Sequence, residues 1–201
     1  ASGTVAALGT WVLGRALADL RAWRDAGHEL RVAVTLSAAQ LQQSDLFDEV
    51  VRLLELHGVE PGWLRLEVSE PALLSESEFP NRAVRAFAQH GIEVAIDNFG
   101  TGYSSLGLVR GLPVRVVKID KSLVSHCPSR RECAAIVQAA ASMSRALGIR
   151  VVAAGVETEE QREAMAALGC DAMQGYLVAR PMDSEGIVAL MRTAAEQTQF
   201  A

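Results

Sequence analysis

Short apolar runs alternate along the chain with longer stretches whose apolar residues recur every three or four positions. The runs Leu30–Leu36, Trp63–Val68, Val94–Ile96, Val114–Ile119 and Arg150–Ala154 are β-rich or evenly apolar, which suits strands buried in a sheet. A sixth short segment spans Asp171–Tyr176. The spacing of Leu8, Val12, Leu13, Leu17, Leu20 and Trp23 predicts a helix over Val5–Ala26, closed by Gly27. A second helix, Ser44–Leu56, sets Leu46, Val50, Leu53 and Leu54 on one face. Further helices are predicted over Pro80–Gln89, Arg131–Leu147, Glu159–Leu168 and Ser184–Glu196.

Four of these helices end in the same kind of joint: His57-Gly58-Val59, His90-Gly91-Ile92, Leu147-Gly148-Ile149 and Leu168-Gly169-Cys170. Glycine takes the left-handed conformation just past a helix without a Cβ penalty, and an apolar residue then leads on towards the next strand. Buried strands alternating with helices imply a parallel sheet. The strands end in polar residues: Thr35, Glu67, Asp97 and Asn98, Lys118 and Asp120, Glu157, and Gln174. Six successive strands ending this way predict a (β/α) barrel with its site at the C-terminal face. A doubly wound open sheet is the alternative, but no glycine-rich nucleotide loop follows the first strand.

Half of the 201 residues are hydrophobic (50%) and 21% are charged, as expected of one globular domain with a sizeable core. The net charge of −5 argues against a polymeric nucleic acid partner and against a polybasic membrane patch. No apolar run is long enough to span a bilayer, so direct membrane insertion is not expected. Cys127, Cys133 and Cys170 form no C-x-x-C pair and read as indifferent thiols of a reducing cytoplasm. His57 and His90 stand at helix ends, where capping is their expected role. The chain opens at Ala1-Ser2-Gly3 without an initiator Met, which leaves open that it is a piece of a longer protein.

Taken together, the strand ends resemble the EAL-domain family, the metal-dependent phosphodiesterases of the bacterial second messenger cyclic di-GMP. Thr35-Leu36-Ser37-Ala38-Ala39-Gln40-Leu41 is similar to the family's N-L-S-x-x-Q-L, and Leu66-Glu67-Val68-Ser69-Glu70 to L-E-[LIV]-[ST]-E. The run from Ile96 to Leu106 matches I-D-D-F-G-T-G-Y-S-S-L at all but one position. Val117-Lys118-Ile119-Asp120 matches [LV]-K-I-D, and Ala153-Ala154-Gly155-Val156-Glu157-Thr158 is similar to A-E-G-V-E-T. Gln174-Gly175-Tyr176 with Pro181 matches the closing Q-G-Y and its proline. The resemblance implies a modified TIM barrel of EAL type, incomplete at the N-terminus. It also implies that residues 1–201 form a single EAL-like domain lacking the N-terminal E-A-L segment. Six strands then stand where eight close a barrel, so the open edge is expected to pair with another chain or to be covered by the first helix.

Family chemistry requires many oxygen ligands for two hard divalent cations. The resemblance makes Glu67, Asp97 and Asn98 the metal positions, here vestigial. Lys118 and Glu157 are the vestigial catalytic positions, and Gln174 and Asp120 are nucleotide or cofactor contacts. It also implies altered ligands. Thr35 replaces an asparagine, Asn98 the second aspartate, and Ala154 a glutamate. Glu70 and the loop Phe99, Gly100, Thr101, Gly102 and Tyr103 are implied to couple the site to a dimer interface. The expected function is therefore a regulatory or protein-interaction module without hydrolysis, with a protein partner or a second copy as its contact. The alternatives are a non-hydrolysing cyclic di-GMP receptor and, third, a metal-dependent phosphodiesterase. No cofactor is expected, and Mg²⁺ or Mn²⁺ only if activity survives.

Overall fold

The computed structural model describes residues 2–74, 77–100 and 105–199. Helix α1 (Ser2–Asp25) leads into β1 (Val32–Leu36), followed by α2 (Ala38–Leu41) and α3 (Leu46–His57). A 3₁₀ turn, Pro61–Trp63, precedes β2 (Leu64–Ser69), α4 (Glu70–Leu73) and α5 (Phe79–Gln89). Next come β3 (Glu93–Phe99), α6 (Ser105–Gly111), β4 (Val116–Ile119), α7 (Lys121–His126) and α8 (Arg131–Ala146). The chain closes with β5 (Arg150–Ala154), α9 (Glu159–Ala167), β6 (Ala172–Gln174) and α10 (Ser184–Gln199).

All six strands run parallel in the spatial order β1-β2-β3-β4-β5-β6, so the sheet follows the chain and β1 and β6 are its edges. This is an α/β fold with a curled parallel sheet that does not fully close, a half-barrel of the incomplete TIM type. Side chains alternate across a strand. Leu64, Leu66 and Val68, Val94 and Ile96, and Val117 and Ile119 are all buried in one contiguous core that also takes in helix residues. The intervening positions carry the polar residues. The four glycine joints are realised as expected: Gly58, Gly91, Gly148 and Gly169 all have φ between +62° and +90°. α9 starts on a capping box, with Thr158 and Gln161 exchanging side-chain and backbone hydrogen bonds.

The inward stripe of α1 differs from the one its spacing predicts. Leu13, Leu17 and Leu20 are fully buried as α1 packs on α2, α3 and β1, whereas Leu8 and Val12 are exposed beside Trp11. The buried set sits at i, i+4 and i+7, one turn further along than the apolar pattern as a whole. Several short elements also escape the pattern. α2, α4 and α7 have four to six residues, too few for a 3.6-residue period to register. Strand starts move inwards by one or two residues: Trp63 belongs to the 3₁₀ turn, and Val114 and Arg115 precede β4.

The sheet's last edge is held by a tight backbone approach. The Val156 amide donates to the Gln174 carbonyl at 3.0 Å, and the Leu177 amide donates to the Val156 carbonyl at 3.1 Å. A Cβ on Gly175 would lie 2.2 Å from the Val156 carbonyl oxygen and 2.3 Å from its nitrogen. Backbone cannot swing aside as a side chain can. Gly175→Ala is therefore expected to cost about 1–3 kcal/mol and to displace Gln174 and Tyr176. Urea unfolding measures the first effect, and the chemical shifts of residues flanking position 175 the second.

Candidate functional site

The polar strand ends converge because registered parallel strands place in-register residues on one face. Thr35 stands opposite Glu67 across β1 and β2, Ser69 opposite Asp97 across β2 and β3, and Ala154 opposite Gln174 across β5 and β6. In β3 the alternation is broken on purpose. Ile96 pairs with Val117 and Phe99 with Ile119, so β3 spends Asp97 and Asn98 where β4 spends Lys118 alone. Such a bulge inserts one extra residue and re-aims its neighbours. Asn98 takes φ +57°, a conformation asparagine tolerates better than most residues. As a result Asp97 and Asn98, adjacent in sequence, line the same cavity, while Phe99 returns to the core.

Lys118 is the centre of the charge arrangement. Its Nζ donates to Glu67 Oε2 at 2.6 Å and lies 3.5 Å from Asp97 Oδ1. Thr35 Oγ1 donates to the same Glu67 oxygen at 3.3 Å. Glu67 and Lys118 are each only 6% exposed, so this ion pair is shielded from water. Burial on that scale demands pairing, since an unpartnered charge there would be strongly penalised.

Beside the cluster is an open cavity of about 480 Å³. Of the residues expected at the site, Asp97, Asn98, Lys118, Asp120, Glu157 and Gln174 line it. Glu67 lies beneath, against Lys118. Asp120 has a second duty: its Oδ1 accepts the Ser122 amide at 2.8 Å and caps α7. The Glu157 side chain is exposed, while its amide donates to Gln161 Oε1 at 2.7 Å. Lys121 and Tyr176 also line the cavity and were not singled out from the sequence. The signal was available in both cases, since Lys121 follows the K-I-D run and Tyr176 closes Q-G-Y.

Glu70 is fully buried at the first position of α4, which packs on β2, β3 and α6. Gly100 has φ +95°, a left-handed conformation that favours glycine, and a Cβ there would lie 2.5 Å from Leu123 Cδ1. Thr101, Gly102 and Tyr103 lie outside the described residues. The three cysteines carry free thiols. Burial, aided by a neighbouring cysteine or acid, pushes the thiols of Cys127 and Cys170 up to about 11, so both stay protonated at neutral pH.

Parallel strands whose polar ends gather at the carboxyl edge around a buried ion cluster define a (β/α) half-barrel with its site on the C-terminal face. The chain belongs to the EAL-domain family: the family's EAL domain pattern matches residues 1–181. It is 38% identical over 189 residues to MucR of Pseudomonas aeruginosa, named a bifunctional diguanylate cyclase/cyclic di-GMP phosphodiesterase. That alignment covers 94% of this chain and 28% of MucR. It is 39% identical over 193 residues to the cyclic di-GMP phosphodiesterase NbdA of the same organism, covering 96% of this chain and 25% of NbdA. The chain thus spans about a quarter of the length of these curated relatives. Among solved structures, the MucR phosphodiesterase in complex with c-di-GMP superposes with a TM-score of 0.88 at 38% identity, covering 92% of this chain and 75% of that one. The EAL domain of Mycobacterium smegmatis DcpA gives 0.86 at 32% identity, covering 92% and 84%. Among the described residues, no helix is long and apolar enough to cross a membrane.

Proposed function

We propose that this chain is a degenerate EAL module of cyclic di-GMP signalling, one that acts by regulation or protein contact and does not hydrolyse the nucleotide. The observation that carries the reading is the position of the Lys118 ammonium, between Glu67 and Asp97. Those are the two carboxylates left at the positions the family resemblance assigns to metal. Two Mg²⁺ or Mn²⁺ ions require several hard oxygen donors bearing negative charge. At the other ligand positions that the resemblance implies, this chain offers a hydroxyl (Thr35), an amide (Asn98) and a methyl group (Ala154). One carboxylate is already neutralised by a cation at hydrogen-bond distance. This donor set does not fit a two-metal centre.

The test is direct. With cyclic di-GMP and either Mg²⁺ or Mn²⁺, the protein is expected to release no linear dinucleotide above a protein-free control. Turnover at an ordinary enzymatic rate, about 1 s⁻¹ or faster, would sink the reading.

A second reading, a non-hydrolysing receptor for the same nucleotide, has its own support. The cavity keeps Lys118, Lys121, Gln174 and Tyr176, and a relative of 38% identity has been solved in complex with c-di-GMP. Cationic and aromatic groups around one cavity suit a phosphodiester and a base. Saturable heat on titrating cyclic di-GMP without metal supports this reading, and its absence at micromolar nucleotide removes it. In either case the contact partner is a protein or a second copy, read from the mass in solution.

A further inference from the structure

At the opposite mouth of the half-barrel, the strands begin in a second charged cluster. Arg31 immediately precedes β1, Arg65 is the second residue of β2, Glu93 opens β3, Arg115 immediately precedes β4 and Arg150 opens β5. The Glu93 carboxylate is saturated. Arg65 Nε donates to Oε1, Arg150 Nη2 donates to Oε2 at 2.6 Å, and Arg31 Nη1 lies 3.6 Å from Oε2. Glu93 also lines an open cavity of about 580 Å³, together with Arg31, Arg85 and Arg115. Arg85 donates to the Gly111 carbonyl at 2.7 Å, a neutral acceptor. Arg115 is exposed and has no side-chain partner among the described residues.

Three guanidiniums therefore converge on one carboxylate and two more line the cavity beside it, in a chain whose net charge is −5. A plug that only closed the bottom of the sheet would need Glu93 and its two nearest arginines. Arg85 and Arg115 add positive charge with no acid to meet it. Guanidinium forks match phosphate oxygens two at a time. Donors spread over a cavity of this size engage an anion with more than one charged group.

We propose that this cavity binds a small anion carrying two or more phosphate groups, held by Arg31, Arg85 and Arg115 while Glu93 fixes the surrounding arginines. Pyrophosphate titrated calorimetrically into the intact protein, at fixed ionic strength, is the test. The expected result is one saturable site, weakened about 10-fold or more by Arg115→Ala and by Arg85→Ala. Lys121→Ala, at the other mouth, is expected to leave it unchanged. Both arginines are exposed, and melting temperatures of the variants check that the fold is kept. The proposal is overturned by no saturable binding, by binding indifferent to Arg115→Ala and Arg85→Ala, or by binding lost in Lys121→Ala. Sulfate at equal ionic strength binding as tightly as pyrophosphate would also overturn it, by reducing the effect to general screening.

Discussion

Lys118→Met is expected to destabilise the protein by about 3–5 kcal/mol. The substitution keeps much of the side chain's volume and removes the ammonium, so the loss is electrostatic rather than a cavity. Glu67, 6% exposed, would then keep a buried carboxylate whose strongest remaining partner is the Thr35 hydroxyl at 3.3 Å. Asp97, which now faces the same cation at 3.5 Å, would face a like charge instead. Removing one member of a buried pair costs more than removing both. The double variant Glu67→Gln with Lys118→Met is therefore expected to recover most of the loss and lie within about 2 kcal/mol of the parent. Urea unfolding of the four proteins closes the cycle. A Lys118→Met variant within 1 kcal/mol of the parent, on the scale of an exposed ion pair, would mean the cluster is hydrated and the pair worth little.

The fold was legible because the chain states it twice. Apolar runs and helical stripes alternate, and at four helix ends a glycine marks the exit: Gly58, Gly91, Gly148 and Gly169 all adopt positive φ. The six strand ends were legible for the same reason, since buried strands leave few polar residues to choose from. The bulge at Asp97-Asn98 was not. Side-by-side polar residues at a strand tip look the same whether or not the ladder slips, and the slip is fixed by pairing with β4. The pairing of Lys118 with Glu67 spans 51 residues of sequence and depends on strand order, a tertiary fact. The arginines around Glu93 were invisible for a related cause. Arg31, Arg65, Arg115 and Arg150 are spread along the chain, and only the parallel register gathers strand starts at one mouth. The α1 stripe misled because Leu8, Trp11 and Val12 share the helical period with Leu13 and Leu17. A period gives the face of a helix but not how far along it the core extends.

Introducing three oxygen donors is expected to change metal affinity more than any other set of substitutions at this site. The set is Thr35→Asn, Asn98→Asp and Ala154→Glu, and each position already faces the ion cluster or its cavity. Thr35 touches Glu67, and Asn98 and Ala154 line the cavity with Asp97. The backbone asks little of the changes. Aspartate tolerates the left-handed conformation of residue 98 nearly as well as asparagine. Residue 154 ends its strand half-exposed, with space in front of it. In the parent, Glu67 and Asp97 are balanced in part by Lys118, and a divalent cation must compete with that ammonium for the same oxygens. The variant adds two negative charges and an amide oxygen around the same point. Affinity of oxygen sites for hard cations rises steeply with ligand charge, so Mn²⁺ is expected to bind about 100-fold more tightly in the variant. Calorimetric titration with MnCl₂ reads this without reference to turnover, and cyclic di-GMP hydrolysis can then be assayed separately. A parent that binds Mn²⁺ as tightly as the variant would show that Lys118 yields to metal, and the case for a silent site would fall with it. A variant that gains metal but not hydrolysis would leave that case standing, because it would place the remaining deficit in groups that position the nucleotide rather than in the donor set.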